Sequence, residues 1–299
     1  MSVLMILFDG VGIGERSNPH NPFCHVRSEI FAVCAGSVHC FPAPIPREGM
    51  VVATDATLAI PGRPQSGTGH TTLLTGINAA KLVSRHVPAY PTQILRTLLA
   101  THGIFPRLAA AGKRATLVNA YRPAYLVPFP RRRLSASTCC ALAAGLPLHD
   151  VEAIRREEAL HADFSNRSLI AEGFDLPAQS PEGAARTLAA IAARHDFSLY
   201  EYYRTDLIGH RQDFPEAVAV VASLERFLAA LLGAVDLQTM TVAVVSDHGN
   251  LEDLRSRLHT RNPVPTWIWG KNCYAVAKEI SSLMDILPAL LKCRGLVAL

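Results

Sequence analysis

The sequence predicts a layered α/β/α sandwich with a mostly parallel sheet and a small inserted cap, on the strength of three observations. The apolar run Val3–Phe8 stops abruptly at Asp9-Gly10, as a strand buried on both faces does. Strand-like and helix-like segments alternate along most of the remaining chain, which is the pattern of layered α/β folds. Residues 121–180 interrupt that alternation with Pro-rich connections and the run Arg131-Arg132-Arg133. Residues 1–120 and 181–299 therefore read as the core, and 121–180 as the insert.

The elements follow in order. Residues 15–48 are rich in Pro, Asn, His and Cys with little periodicity and read mostly as loop. A helix opens near Gly67, after the breaker Pro61-Gly62-Arg63-Pro64, and a second, amphipathic one covers 91–102. A short helix at 105–111 stops at Gly112, and 115–119 reads as a strand. The insert holds two helix-like stretches, 135–144 and 150–160. Ser180-Pro181-Glu182 supplies an N-cap, a first-turn Pro and an acidic first turn for a helix to about residue 194. Then come a strand at 197–203, a long apolar-striped helix at 215–232, strands at 239–245 and 265–269, and a closing helix at 280–291.

Composition narrows the function. At 299 residues and 49% hydrophobic, the chain can bury a substantial core. The net charge of +4 is mild and the basic residues are scattered, so no nucleic-acid partner is expected. No apolar stretch approaches the roughly 20 residues that span a bilayer, so no membrane partner is expected. The start resembles a signal sequence only superficially, being short and without a basic leader. Seven cysteines, an odd number without framework spacing, suggest reduced thiols and a cytoplasmic protein.

In α/β folds, ligands bind outside the carboxyl ends of the strands. Polar residues stand there: Asp9 after the first strand, Asp206 and His210 after 197–203, and Asp247-His248-Gly249-Asn250 after 239–245. His259 follows eleven residues beyond His248. Three carboxylates and three imidazoles form a mixed oxygen–nitrogen ligand set, which suits Zn²⁺ or Mn²⁺ better than Ca²⁺ or Mg²⁺. Six ligands exceed one tetrahedral ion but suit two ions about 3.5–4 Å apart. Asp206 and His210 face one way if their loop turns helically. Singly, a strand-end Asp or an Asp–His pair is a common cap or structural hydrogen bonder. Their joint occurrence, in order, carries the argument.

The seventh candidate is Ser66, in Gln65-Ser66-Gly67-Thr68-Gly69-His70. Small residues and a hydroxyl before a helix offer free N–H groups and a positive helix end, a cradle for phosphate beside a nucleophile. The same segment also reads as an ordinary Ser N-cap.

Together these segments resemble the alkaline phosphatase superfamily, specifically its phosphoglycerate mutase-like and phosphopentomutase-like metalloenzyme branch. Asp9-Gly-Val-Gly12 is similar to the opening metal aspartate, and Ser66 with Gly69-His70 to the nucleophile motif. Asp206-x-x-Gly209-His210, Asp247-His248-Gly249-Asn250 and His259-Thr-x-Asn-Pro-Val-Pro265 are similar to three later metal motifs. The resemblance implies an alkaline phosphatase-like fold and two divalent ions, Mn²⁺ or Zn²⁺. It places Asp9, Asp247 and His248 on one ion, with Ser66 bridging, and Asp206, His210 and His259 on the other. Ser66 is then the nucleophile that forms a phosphoserine intermediate.

The resemblance is incomplete in one region. Independent phosphoglycerate mutases carry a large inserted domain with an arginine-rich set, whereas the insert here is far shorter and none of those arginines aligns. Because isomerisation requires a lid that excludes water, a phosphomonoesterase acting on a small phosphorylated metabolite is expected. The alternatives are a phosphomutase and an inactive metal-binding regulatory homologue. The Ser66 segment lacks the x-Pro-x-Arg continuation of sulfatases. Lys81, Arg85 and His86 are candidates to grip the substrate's charge, or else a solvated loop, and Arg131 to Arg133 could line the cap. Asn250 is a candidate to contact substrate or orient His248. His70 reads as a supporting partner of the ligands or as a buried helix-start histidine.

Overall fold

A computed structural model of the chain describes residues 2–126 and 133–296. Among these described residues, seven strands form one sheet: β1 (Ser2–Phe8), β2 (Ala43–Ile45), β3 (Gly49–Thr54), β4 (Ala115–Leu117), β5 (Phe197–Tyr202), β6 (Met240–Val245) and β7 (Val264–Trp269). Their order is β2-β3-β7-β6-β1-β5-β4. The pairs β6–β1, β1–β5 and β5–β4 are parallel, while β7 runs antiparallel to both β6 and β3, and β2 antiparallel to β3. The sheet therefore has a parallel centre and an antiparallel flank.

The helices described are α1 (Ser66–Thr75), α2 (Ala79–Leu82), α3 (Gln93–His102), α4 (Ile104–Ala110), α5 (Pro123–Leu126), α6 (Ala136–Ala143), α7 (Val151–Arg155), α8 (Arg167–Ala171), α9 (Pro181–Ala193), α10 (Arg204–Arg211), α11 (Phe214–Ala234), α12 (Cys273–Lys278) and α13 (Leu283–Arg294). β1 explains the layering. Leu4, Ile6 and Phe8 enter a core with α9 and α11, while Val3, Met5 and Leu7 enter the opposite core with α1, α3, α4, α6, α12 and α13. Successive side chains of a strand point to opposite faces, so a strand with helices on both sides reads as an unbroken apolar run. Each fully buried Leu or Phe contributes roughly 1.5–3 kcal/mol of gross transfer energy.

Residues 15–48 are mostly loop, as expected, with the short β2 inside them and β3 directly after. Two expectations change. Residues 121–180 divide in two: α6 packs on α1, α3 and α4 with Ala136, Cys140 and Ala141 in the main core, whereas α7 and α8 enclose a small cluster of their own. α11, at 21 residues, is long and apolar enough to cross a membrane, contrary to the sequence expectation. Here Val221, Leu224, Phe227, Leu228 and Leu231 on it are fully buried in the core beneath the sheet. All seven cysteines are free thiols. Arg131 and Arg132 lie outside the described residues.

Candidate metal centre

The carboxyl ends of β1, β5 and β6 lie side by side, and the polar residues following them converge there. Asp9 leaves β1, Asp206 and His210 stand on α10, and Asp247-His248 leave β6. His259 comes from the loop ahead of β7. α10 is the helical turn that the four-residue spacing of Asp206 and His210 requires: His210 Nε2 lies 3.2 Å from Asp206 Oδ2. α1 brings Ser66 to the same point. The N-cap is Gln65, which makes no side-chain capping bond, so Ser66 occupies the first helical position with its hydroxyl free for the site. Ser66 Oγ lies 3.0 Å from His248 Nε2.

Two groups of ligand atoms result. Asp9, Asp247 and His248 offer one, and Asp206, His248 and His259 the other, so His248 stands between them. His210 joins the second group, its Nε2 3.1 Å from that of His259. The second ring nitrogens explain the orientation. His259 Nδ1 donates to the Pro64 carbonyl at 2.8 Å, and His210 Nδ1 to that of Arg257 at 2.6 Å. A carbonyl only accepts, so both Nδ1 atoms carry the proton and both Nε2 lone pairs face inward. Two lone pairs at this separation repel, and a cation between them relieves the repulsion. Asp9 Oδ1 is likewise buried without a hydrogen-bond donor, an expense that a coordinated cation removes. The donor set fits a divalent metal.

Electrostatics agree. Burial and then the Asp247 charge push the Asp9 carboxyl well above its usual range. Burial would raise Asp247 also, but His248 and His70 hold it below the ordinary carboxylate value. Burial lowers His248 to about 4, leaving a neutral imidazole whose lone pair is available to a cation. For His70 burial acts downward, yet Asp247, Asp9 and Glu201 together raise it to about 10. His70 Nε2 lies 3.1 Å from Asp247 Oδ2, so this histidine supports the carboxylates from behind.

Several residues that hold the site were not read from the sequence. Glu252, fully buried, accepts from the Gly12 and Asn250 backbone N–H groups at 2.9 and 2.8 Å, from Asn262 Nδ2 at 3.1 Å, and from the Thr260 hydroxyl. It ties together the three loops that carry Asp9, His248 and His259. Ser246 Oγ accepts from Val11 N–H at 2.9 Å. Glu201 closes the rear, accepting from Ser137 Oγ at 2.7 Å. Close approach requires Gly69: a Cβ there would sit 2.8 Å from Asp247 Cβ. A polar residue within an otherwise buried stretch was the one available signal for Glu252.

The substrate-side candidates separate. Asn250 is buried and donates to Asp206 Oδ1 at 2.7 Å, so it orients Asp206 and not His248. A cavity of about 330 Å³ beside Ser66 is lined by Arg63, Pro88 and Leu258 together with the ligand residues. Lys81, Arg85 and His86 do not line it. The turn after α2 directs His86 Nε2 to the Ile60 carbonyl at 3.2 Å and leaves Lys81 and Arg85 exposed. Among the described residues, Arg63 is the guanidinium that lines this cavity.

Fold and site define an α/β metalloenzyme of alkaline phosphatase-like architecture. The structure is similar over 99% of this chain and 99% of the other to the alkaline phosphatase from the Antarctic bacterium TAB5, with 14% identity and a TM-score of 0.56. It is similar to a Pyrococcus horikoshii protein with 12% identity and a TM-score of 0.57, covering 100% of this chain and 98% of that one. The chain belongs to the Metalloenzyme superfamily, whose profile matches residues 1–296. Among relatives, the 2,3-bisphosphoglycerate-independent phosphoglycerate mutase of Paracoccus denitrificans is 29% identical over 124 residues, 39% of this chain and 24% of the relative. That of Desulforudis audaxviator is 30% identical over 130 residues, 41% of this chain and 26% of the relative. The matched part thus spans about a quarter of these relatives' length.

Proposed function

We propose that the protein is a phosphomonoesterase acting on a small phosphorylated metabolite through a phosphoserine at Ser66, with two divalent ions, Mn²⁺ or Zn²⁺. The observation that carries this is Ser66 Oγ, on the first turn of α1, 3.0 Å from a neutral His248 and beside both ligand groups. Asp9, Asp247 and His248 would hold one ion, and Asp206, His210 and His259 the other. Bound there, the ions supply a Lewis acid for the phosphate oxygens and lower the pKa of the serine hydroxyl. The chain does the rest. The free N–H groups at the start of α1 face a phosphate placed over Ser66. Because His248 Nε2 would serve as a ligand, the serine proton would leave to water, and Arg63 sits where a substrate's remaining negative charge would lie. Water then releases phosphate from the serine.

A phosphomutase is the second reading, favoured by the names of the relatives. Hydrolysis fits the geometry better. α6 is committed to the core, and the His210 side chain remains 40% exposed, so water reaches the site. A panel of phosphorylated metabolites assayed with each metal separates the two readings: free phosphate is expected, and stoichiometric isomer without phosphate release would overturn hydrolysis. Ser66→Ala is expected to lower turnover by about 10³-fold or more while metal remains bound; an unchanged rate would remove Ser66 as nucleophile. The free thiols and the mild net charge are in keeping with a cytoplasmic protein.

A further inference from the structure

A second cavity, about 390 Å³, lies at the free edge of the sheet beside β4. Arg114 and Thr116 line it from β4 and the turn before that strand, Arg194 and His195 from the turn between α9 and β5, and His149 and Glu158 from the segments flanking α7. Arg114 and His195 precede their strands, whereas Asp9, Asp206 and Asp247 follow theirs, so this cavity and the metal centre lie at opposite strand ends.

Its lining carries two arginines against one acid. The one acid, Glu158, already faces Arg156 at 2.8 Å. Neither the Arg114 nor the Arg194 guanidinium has a hydrogen-bond or ion-pair partner among the described residues; Arg114 uses only its backbone, donating to Asp196 at 2.8 Å. On the cavity floor, buried Thr116 Oγ1 lies 3.2 Å from His149 Nε2, a polar pair able to donate upward. Two unpaired guanidinium forks facing one hollow repel each other, and they match the geometry of a phosphate. The volume falls within the range of small-metabolite sites.

We propose that this cavity is a second, non-catalytic binding site for a small phosphate-bearing anion, gripped by Arg114 and Arg194 over Thr116 and His149. Calorimetric titration of the metal-loaded protein tests it, with inorganic phosphate and glycerol 3-phosphate as separate probes in a Ser66→Ala background that prevents turnover. Two binding events are expected. Adding Arg114→Ser and Arg194→Ser should weaken one of them by about tenfold or more and leave the other. Arg114→Lys with Arg194→Lys, which keeps charge but loses the fork, should fall between. Tighter binding of glycerol 3-phosphate identifies an organic phosphate as ligand, and equal binding identifies free phosphate. An isotherm unchanged by the serine pair overturns the proposal, as does a pair that loses both events together.

Discussion

Glu252 shows what a single side chain contributes. Its two oxygens accept from four donors on three loops, and Gly12 and Gly249 press directly on it. Glu252→Gln would turn one of those oxygens into a donor facing donors, costing about 1–3 kcal/mol. The expected result is lower thermal stability together with metal affinity weakened by about 10–100-fold, as for other residues that orient ligands; unchanged metal affinity in calorimetry would refute the role. The six ligand-type residues and Ser66 were legible because strand ends expose polar groups in a recognisable order. Glu252 and Glu201 were not, because their partners lie far off in sequence and no local spacing marks a lone glutamate.

Among elements, the segment from α7 to α8 is governed by Asp163. Its carboxylate accepts from Asn166 and Ser168 N–H at 3.0 and 2.9 Å and lies 3.0 Å from His161 Nδ1. Burial alone would raise its pKa, but His161 and Ser168 hold it below the ordinary value. A depressed folded pKa means that the contribution is complete above the unfolded value near 3.9 and is lost as pH falls through the folded one. Acid unfolding of wild type should therefore steepen below about pH 4, and Asp163→Asn should flatten that limb while costing about 1–3 kcal/mol at neutral pH. Parallel wild-type and variant curves would contradict this. The long elements were legible from their periodicity. β2 was not, being three residues beside Pro42 and carrying Pro44, and β3 joins the rest of the sheet through β7, an antiparallel partner distant in sequence. The helix-like texture of α6 was visible, but its packing against α1 and α3 is a tertiary fact that no window reveals.

At the scale of the whole molecule, metal and fold are linked, because ligands from four separated chain segments meet only in the folded state. An ion at a hundred times its dissociation constant adds about 2.7 kcal/mol. Chelation should therefore lower the melting temperature, and readdition of Mn²⁺ or Zn²⁺ should restore it; indifference to chelation in a thermal scan would argue against occupied sites. α1 has a further consequence. Residues 67–75 are all buried, and the hydroxyls of Thr71, Thr72 and Thr75 bond back to carbonyls one turn earlier at 2.7, 2.8 and 2.7 Å. A helix so enclosed opens only with the whole domain. Its amide hydrogens should exchange with deuterium among the slowest in the chain, while the exposed turn at Arg255–Leu258, which reaches the cavity beside Ser66, exchanges early. Ser66 would then be carried by the most slowly opening element of the site, with faster exchange confined to the rim of its cavity.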